Sequence, residues 1–503
     1  MVITGNAAAG GAPGTGLYVS NGGSLLVNSV LNDGIPVGGQ TNSYSDMLVV
    51  DATQLGAGGA TSIGVTNVGG NGALTPGNGI ELVEVRNKAN SDPGAFILAG
   101  DYVTKQGEQA VVGGAYAYTL NYGGVGGDRA DGNWYLRSEL VTTTPGPGPT
   151  PLFQAGVPLY ETYAQSLLQL NNLPTMQQRV GNRYWTEPAA PTEVFCKDPA
   201  QNFKCKVTPE QAEYYADRQS IIETSGIWAR VDGLHGHFEP RVTSSGAEYD
   251  TNIWQLQAGL DGSLYEGSNG STLIGGLNLQ YGRASTDVTS IYGDGNIDTN
   301  GVGFGGTMTW LQPDGFYVDG QGSITWFDSD LFSDTARRDL TSGNNGFGYA
   351  LSVETGKKID LGDAWAVTPQ AQLVYSNVRF DDFTDTFGAR VTSNSDDSLR
   401  GRLGLSVDRD NRWEDEAGST RRSHIYGIAN LNYEFLGATQ VDVSGTAFES
   451  GPERLWGEVG LGGSYNWNDD KYSVYAEISA NTSLKDFGDS YSVSGTAGIR
   501  IKW

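Results

Sequence analysis

The sequence has few cysteines, few histidines and no long apolar run. Of its 503 residues only two are Cys and three are His, so a cysteine-rich scaffold is excluded and a multi-histidine metal site has few ligands. No stretch of about 18 apolar residues is present to form a membrane-spanning helix. If the chain enters a membrane, it must therefore do so as a closed β-barrel.

Basic residues are also scarce. Lys and Arg number 31 against 57 Asp and Glu, which gives a formal net charge of −26. Proteins bind nucleic acids largely through Lys and Arg that neutralise phosphates, so we expect no nucleic-acid partner. Acidic loops on a secreted or surface protein agree with this charge. No sequence motif indicates a cofactor, and we expect none.

Glycine and aromatic residues are abundant instead, with 73 Gly, 25 Tyr and 16 Phe. This composition is typical of short strands and tight turns, and predicts an all-β protein. In residues 1–140, short apolar runs at 24–30, 47–50, 62–68 and 79–85 are separated by Gly or Asn. Such strands gain stability by stacking on neighbours, which favours a parallel β-solenoid, with a soluble β-sandwich as the alternative.

Residues 141–157 form a Pro- and Gly-rich linker, in which helix and strand are both disfavoured. Residues 158–183 then predict a helix, because apolar side chains recur at helical spacing and Pro174 should kink or restart it. Its residues 158–180 would span roughly 33 Å, near the thickness of a bilayer core. With few charges, this helix suits the inside of a polar lumen.

Residues 184–225 form a connector expected on the periplasmic side of a membrane. It holds both cysteines, Cys196 and Cys205. Their close spacing predicts one small disulfide loop in an oxidising compartment. A metal site is the alternative, but two Cys and three scattered His fall short of four converging ligands.

From 226 to 503 the sequence predicts twelve antiparallel strands, an even number as in single-chain bacterial barrels. They begin near Gly226, Asp250, Ser271, Ile297, Gly315, Phe347, Asp363, Ser398, Ser423, Glu453, Lys471 and Tyr491. Apolar and polar residues alternate along several, as in the last strand, where one parity carries Tyr491, Val493, Ile499, Ile501 and Trp503. A soluble sheet with one wet face would also alternate.

Tryptophans near the strand ends predict two interfacial girdles. They are Trp228, Trp254, Trp310, Trp326, Trp365, Trp467 and Trp503. Charges on the polar parity are expected inside the barrel, since a lipid-facing charge is costly. These charges are Arg400, Arg402, Glu434, Glu458, Glu477 and Arg500. They either hydrogen-bond the threaded helix and plug the pore, or are solvated lumen charges.

Several segments, in this order, resemble the autotransporters, the type Va secretion proteins of Gram-negative bacteria. Two segments are similar to a pertactin-like passenger end, Gly114–Leu120 and Asn133–Ser138. One resembles the segment after the lumenal helix, Gln178–Gly181. Four resemble barrel strands, namely Gly226–Arg230, Leu399–Gly404, Trp456–Gly460 and Ile501–Trp503. The resemblance implies a twelve-stranded outer-membrane barrel with an α-helix in its lumen. It also implies a short right-handed parallel β-helix as the end of a secreted passenger.

By this resemblance, the barrel anchors its own passenger and delivers it to the cell surface, in contact with outer-membrane lipid and lipopolysaccharide. The outer-membrane assembly machinery, with periplasmic chaperones, would read the last strand through Tyr491, Val493, Ile499, Ile501 and Trp503. Residues from about 30 to 140 would form the autochaperone region. We expect no enzyme activity, but adhesion to a host surface ligand by passenger residues outside this sequence. The export signal is also expected to lie outside it.

Two smaller features carry alternatives. Some relatives release their passenger by cleavage between two Asn in the lumenal helix, which makes Asn171 and Asn172 weak candidates for autocleavage, although Pro174 departs from that pattern. His235 and His237 share a strand face near a loop, where ordinary polar roles are expected rather than a metal site.

Three rival functions remain at the level of the sequence. They are an outer-membrane porin or diffusion channel, a barrel-type outer-membrane protease and a soluble β-solenoid adhesin. The porin leaves the solenoid and the helix without a role, and the protease needs an acid–histidine cluster that the sequence does not show.

Overall fold

The fold was described from a computed structural model. It describes residues 2–4, 17–20, 22–34, 36–37, 40–41, 44–51, 54–57, 59–86, 91–140, 149–186, 193–195, 204–206, 220–416, 418–436 and 438–502. Within these ranges, no helix combines the length and the apolar character needed to cross a bilayer.

The first zone is built from short strands, most of which stack in parallel, with one antiparallel pair among them. Its strands are β1 (Val2–Thr4), β2 (Leu17–Ser20), β3 (Ser24–Ser29), β4 (Pro36–Val37), β5 (Gln40–Thr41), β6 (Leu48–Asp51), β7 (Gln54–Ala57), β8 (Thr61–Asn67), β9 (Ile80–Val85) and β10 (Phe96–Ala99). Parallel pairs join β1–β6–β9, β2–β7 and β3–β8–β10. Fully buried Ile63 stands in register between Leu25 and Leu98, so apolar residues stack from one coil to the next, as in a solenoid. The handedness of the coils stays a prediction.

An antiparallel unit, here called the cap, follows the last coil. It comprises residues 101–140 with β11 (Tyr102–Val103), β12 (Gln109–Gly113), β13 (Tyr116–Tyr122), a 3-10 helix (Gly126–Asp128) and β14 (Trp134–Arg137). Strand β14 pairs antiparallel with β9 and so covers the edge of the solenoid. Trp134 is buried in edge contacts with Phe96, at 4.8 Å, and Tyr122, at 4.9 Å between ring centroids.

Two helices follow, α1 (Val157–Leu170) and α2 (Met176–Val180). They are separated at Pro174, which lacks an N–H and clashes with a continuing helix. The second helix starts with a capping box, in which the Thr175 side chain accepts from the Gln178 N–H and the Gln178 side chain accepts from the Thr175 N–H. This exchange satisfies two orphan donors at the helix start.

The connector contributes β15 (Tyr184–Thr186), β16 (Glu193–Phe195), β17 (Lys204–Lys206) and β18 (Ser220–Ile222). Twelve barrel strands then follow: β19 (Gly226–Phe238), β21 (Glu248–Glu266), β22 (Thr272–Thr289), β23 (Gly295–Leu311), β24 (Phe316–Ser333), β25 (Arg338–Lys357) with its continuation β26 (Ile359–Gly362), β27 (Trp365–Phe380), β30 (Asp396–Glu414), β31 (Thr420–Glu434), β34 (Leu455–Trp467), β35 (Tyr472–Ser483) and β36 (Tyr491–Ile501). The first and the last of these strands, β19 and β36, pair with each other in antiparallel orientation, with Ile227 opposite Ile501. The barrel is therefore closed. The predicted twelve-stranded antiparallel barrel with a helix in its lumen is confirmed.

Eleven predicted strand starts lie within three residues of the observed ones, but β25 starts at Arg338 rather than near Phe347. The missed stretch, 338–346, holds Leu340 as its one large apolar residue, so it lacks the alternation that marked the other strands.

The two ends of the barrel differ. At the terminal end, where Gly226 and Ile501 lie, the strands are joined by short turns. At the opposite loop end, a five-stranded sheet of β20 (Val242–Thr243), β28 (Phe383–Thr384), β29 (Arg390–Ser393), β32 (Thr439–Val443) and β33 (Thr446–Gly451) crosses the opening. This sheet and the turns 290–294 and 334–337 are here called the platform.

The cap meets the platform on the taller side of the barrel, in what is here called the cap-to-platform junction. Tyr102 of the cap lies 5.8 Å from Phe387, between ring centroids. Lys105 Nζ lies 2.8 Å from Oδ1 of Asp294, which is in the turn between β22 and β23. Strands β22 to β25 have 17 to 20 residues, whereas β34 to β36 have 11 to 13.

Alternation sets the two faces of the wall. Leu403 and Leu405 point outward and are 66% and 51% exposed, whereas Arg402, next to Leu403, points inward and is buried. Trp254 contacts Tyr281 on the outer face, with ring centroids 5.4 Å apart, as expected of an interfacial girdle. Trp228 was wrongly assigned to a girdle: it shares the inward parity of Arg230, is buried, and packs where a Cβ on Gly259 would come within 2.5 Å of its ring.

Candidate functional site: the occupied lumen

Helix α1 fills the loop end of the lumen. Leu159, Tyr163 and Leu167 are fully buried in the core that the helix shares with the barrel wall. The carboxylate of Glu161 accepts hydrogen bonds from the Thr243 hydroxyl at 2.6 Å and from the Ser244 and Ser245 N–H groups at 2.9 Å. These bonds compensate the cost of burying the carboxylate and fix the helix to the platform.

A second buried carboxylate, Asp385, holds the segment that leads into α1. It accepts from Gln154 Nε2 and from the Tyr160 hydroxyl, both at 2.7 Å. The N–H groups of Phe387 and Ala389 donate to its other oxygen at 2.9 and 2.8 Å. Burial raises the pKa of Asp385, and these four donors oppose the rise. The carboxylate thus ties the entry of the helix to the loop between β27 and β30.

Asn171 and Asn172 lie at the end of α1. The Asn171 side chain donates to the Tyr349 carbonyl at 3.1 Å and to Ser376 Oγ at 2.8 Å. Asn172 accepts from Arg400. Both amides are therefore held by the barrel wall, and autocleavage at this pair stays a prediction.

The terminal end is held by buried ion pairs. Arg179 Nη2 lies 2.5 Å from Asp319 Oδ1, and the two side chains are 2% and 0% exposed. Arg183 pairs with Asp261. Arg500, on the last strand, pairs with Glu223 and donates to the Val180 carbonyl at 2.8 Å. Helix α2, the residues that follow it and the strand that closes the barrel are thus linked by charged side chains.

Trp185 closes the same end and is 1% exposed. Its Nε1 donates to Glu223 at 2.8 Å, and the Arg422 guanidinium lies 5.6 Å from the indole. His424 packs edge-on at 6.4 Å. Residues 184–186 pair with 220–222 as a two-stranded sheet. The first and last residues of the connector thus lie inside the barrel end, and its placement on the periplasmic side stays a prediction.

The six predicted lumen charges divide into two groups. Arg400, Glu477 and Arg500 contact the segment that is threaded through the lumen, residues 157–186, here called the threaded segment. Their partners in it are Asn172, Gln178 and Val180, respectively. The other three bond to the wall. Arg402 donates to Gln370 and Asn430, and its Nη2 lies 3.3 Å from Glu354 Oε2. Glu434 accepts a hydrogen bond from Ser398, and Glu458 accepts one from Asn432.

The sequence reading missed Arg179, Arg183, Asp261, Asp319, Glu223 and Trp185. Asp261 and Asp319 share the inward parity of their strands, which was a usable signal. Arg179 lies within Gln178–Gly181, one of the segments that resemble the autotransporters, whereas Arg183, Trp185 and Glu223 lay outside any strand pattern and gave no signal.

The helix does not fill the lumen. A cavity of about 290 Å³ remains beside it and is lined by Asn172, Arg400, Arg402, Glu434 and Glu458, among others. Toward the terminal end the cavity is narrowed by Glu477, which accepts from Gln178 at 2.6 Å and from Tyr426. The threaded segment and the wall thus leave a partly open space, which apolar residues such as Leu173, Val374 and Ile428 also line.

The last strand presents Tyr491, Val493 and Ile499 outward, at 43%, 45% and 51% exposure, and Ile501 shares this parity at its end. Trp503 and Cys196 lie outside the described residues, and of Cys205 only the backbone in β17 is described. The assembly signal and the disulfide therefore stay predictions.

No three His, Cys, Asp or Glu side chains converge as metal ligands within the described ranges. His235 Nδ1 lies 2.8 Å from Asn252 Oδ1, and His237 Nδ1 lies 2.8 Å from Asp250 Oδ1. Both histidines stand on the outward parity of β19, with polar partners on β21.

Two family models match the sequence. Residues 227–479 match the autotransporter beta-domain, and residues 15–120 match the autochaperone domain type 1. The chain belongs to the autotransporter family. It therefore carries the barrel of a type V secretion protein and belongs in the Gram-negative outer membrane, among its lipid and lipopolysaccharide, with the passenger part at the cell surface.

This autotransporter chain is 46% identical to the adhesin BmaC autotransporter of Brucella suis over 97% of its own length, but over only 13% of that protein. It is 26% identical to the pertactin autotransporter of Bordetella parapertussis, over 48% of this chain and 25% of that protein. Among solved structures, the transport unit of the autotransporter AIDA-I from Escherichia coli gives a TM-score of 0.45 at 18% identity, covering 55% of this chain and 90% of that one. The family assignment rests on the family models.

Proposed function

We propose that this chain is a translocator unit that carries its own passenger across the outer membrane, anchors it, and then closes the lumen with residues 157–186. The observation that carries the proposal is the threaded segment, which passes through a closed barrel from the platform to the terminal end. The N-terminal part lies beyond the loop end, which is the arrangement expected once the passenger has been transferred to that side.

The passenger part is proposed to serve adhesion to a host surface, without enzymatic activity. A solenoid offers long stacked surfaces, and the Brucella relative is named as an adhesin. Since this chain covers 13% of that relative, the adhesive part is proposed to reside in passenger regions beyond this sequence.

Insertion is proposed to depend on the outer-membrane assembly machinery and on periplasmic chaperones. They would act on β36, whose outward row of Tyr491, Val493, Ile499 and Ile501 ends at Trp503. In the proposed orientation of the barrel in the outer membrane, the terminal end faces the periplasm and the loop end faces the outside of the cell. The short turns at the terminal end and the longer loops opposite agree with bacterial barrels.

Two measurements on the expressed chain test this function together. We expect heat-modifiable migration on a detergent gel, which reports a closed barrel, and removal of the passenger when intact cells are treated with protease. A passenger protected on intact cells but cut after lysis would contradict secretion. A large steady conductance of the intact protein in planar bilayers would favour a porin instead.

A further inference from the structure

A pocket of about 420 Å³ lies on the outer face of the barrel, where β19, β21 and β22 run side by side. Six outward residues, two from each strand, line it and are here called the outer pocket, namely Gly233, His235, Asn252, Trp254, Arg283 and Ser285. Gly233, Trp254 and Arg283 stand opposite one another in the row nearer the terminal end, and the other three in the row nearer the loop end. A volume of this size is within the range of small-molecule sites.

The outer pocket lies where the lipid-facing band gives way to polar residues. Along β21 the outward residues change from Leu260 and Leu256, through Trp254, to Asn252 and Asp250. The outward residues of β22 change in the same way. Aromatic side chains at such a boundary lie at the level of the lipid headgroups. With the loop end outside the cell, the pocket therefore faces the headgroups of the outer leaflet.

Gly233 gives the pocket its depth. A Cβ at this position would meet nothing closer than the Ile253 carbonyl oxygen at 4.0 Å, and Gly233 does not have a positive φ. Neither packing nor backbone conformation therefore requires glycine here. A glycine inside a strand weakens the strand and often marks a place where a ligand approaches closely.

His235 and Asn252 offer a donor and an acceptor side by side. His235 Nδ1 lies 2.8 Å from Asn252 Oδ1, which only accepts, so Nδ1 carries the proton. In the neutral ring Nε2 is then an acceptor, while the Asn252 amide nitrogen is a donor. A hydroxyl group both donates and accepts, so this pair suits a ligand with neighbouring hydroxyls.

Trp254 supplies an apolar wall beside these polar groups. Its ring is 45% exposed and is held edge-on by Tyr281 at 5.4 Å between centroids. The Tyr281 hydroxyl donates to Asn300 Oδ1 at 3.2 Å, which fixes the tyrosine in turn. The electron-rich face of an indole attracts groups of slight positive charge, such as the C–H groups on one face of a sugar ring.

The charges around the pocket favour a sugar over a bare phosphate. Among the described residues that line it, Arg283 is the one permanent cation, and its Nη2 lies 3.2 Å from Asp298 Oδ1. One outward step closer to the loop end, Asp250 and Asp287 stand opposite each other. A phosphate would meet a cation that is already compensated and carboxylates that repel it. Neutral hydroxyls can bond to guanidinium and carboxylate alike.

We propose that the outer pocket binds a sugar ring in the headgroup of an outer-leaflet glycolipid, the class to which lipopolysaccharide belongs. The C–H face of the ring packs against Trp254, and its hydroxyls bond to the polar side chains of the pocket. The barrel thus holds one glycolipid at a fixed place on its wall. The site rests on the proposed orientation of the barrel, which puts the loop end in the outer leaflet.

The test fills the pocket and measures glycolipid binding. Gly233→Val places a side chain that suits a strand in the open space, and Gly427→Val is the matched control. Gly427 is an outward glycine of β31, where a Cβ would also have no heavy atom closer than 4.0 Å. The full chain is titrated in detergent with short-core lipopolysaccharide, and bound glycolipid is counted by native mass spectrometry. Heat-modifiable migration shows that each barrel is closed.

We expect Gly233→Val to bind the glycolipid about tenfold more weakly than the unchanged chain, and Gly427→Val to bind it equally well. Trp254→Leu keeps an apolar girdle residue but removes the ring, and is expected to lose affinity as well. Unchanged affinity in Gly233→Val, or equal losses in Gly233→Val and Gly427→Val, would overturn the site.

Two further lipids separate the sugar from the phosphate. Dephosphorylated lipopolysaccharide should bind nearly as well as the intact form, and phosphatidylglycerol should not distinguish Gly233→Val from the unchanged chain. A large loss of affinity on dephosphorylation would show phosphate recognition and overturn the sugar site. A loss of phosphatidylglycerol binding in Gly233→Val would show general lipid contact and overturn it too.

Protease treatment of intact cells keeps this site separate from the transport function. The passenger of Gly233→Val should be as accessible as that of the unchanged chain, because the pocket lies outside the lumen. No specific glycolipid binding, with the passenger at the surface, would overturn the site alone. A passenger of the unchanged chain that is protected on intact cells would contradict the transport function.

Discussion

Buried charged side chains hold the threaded segment at the terminal end of the barrel. Removing one partner of a buried ion pair leaves an uncompensated charge, at a cost of about 3–5 kcal/mol. An exposed pair contributes only about 0–1 kcal/mol. The pairs Arg179–Asp319 and Lys357–Asp314 lie at the same end and represent these two cases.

Asp319→Asn should therefore loosen the threaded segment. Arg179 would lose its carboxylate, and we expect larger and noisier currents in planar bilayers together with a lower urea midpoint of unfolding. The matched control Asp314→Asn should change neither. If both variants conduct like the unchanged chain, the buried pair does not hold the plug.

Glu81 on β9 gives the passenger a pH dependence. Burial raises its pKa, and the nearby charges of Glu84 and Asp131 add to the rise. The folded state then binds a proton more readily than the unfolded state, so stability increases as the pH falls from neutral through the raised pKa and is lost as the pH rises through it.

Glu81→Gln should remove this dependence, because the amide is neutral but still accepts from Asn133 Nδ2, which donates to Glu81 at 2.7 Å. The measurement is the urea concentration at which the passenger of the full chain becomes protease-sensitive, at pH 5 and pH 7. We expect a smaller pH difference in Glu81→Gln than in the exposed control Glu108→Gln. Equal differences would remove Glu81 as the cause.

At the scale of elements, twelve strands and a two-part helix were predictable from local patterns. Strands such as β30 and β36 were recognised by their alternation of apolar and polar residues. Successive side chains face lipid and lumen in turn, and lipid favours apolar residues whereas the lumen favours polar ones. The break at Pro174 followed from the proline ring. The sequence did not reveal that Trp185 and Glu223 enter the barrel end, since their partners, such as Arg422 and Arg500, are distant in the chain.

Deleting residues 158–180 should raise the conductance of the barrel in planar bilayers. The deletion removes α1, α2 and the contacts of Arg400, Glu477 and Arg500 with the threaded segment, so it opens the polar lumen. The barrel strands are unchanged, and heat-modifiable migration should persist. An unchanged conductance with a closed barrel would refute the plug.

At the scale of the whole molecule, barrel and passenger share one apolar core. A chain lacking residues 1–140 should still form a heat-modifiable barrel, because the twelve strands pair among themselves. It should expose Phe387, which loses its contact with Tyr102, and so bind more of a hydrophobic fluorescent dye in detergent-free vesicles than the full chain. Equal dye binding would show that the platform does not need the cap as a cover.

The cap-to-platform junction has a mechanical consequence for the cell envelope. Since the cap sits against the taller side of an uneven rim, a sideways pull on the outer coils acts through a lever arm instead of being absorbed by slack tethering. The load then passes as torque into β22–β25, where long hydrogen-bonded ladders share it in shear. Such a pull would tilt the whole barrel in the outer membrane.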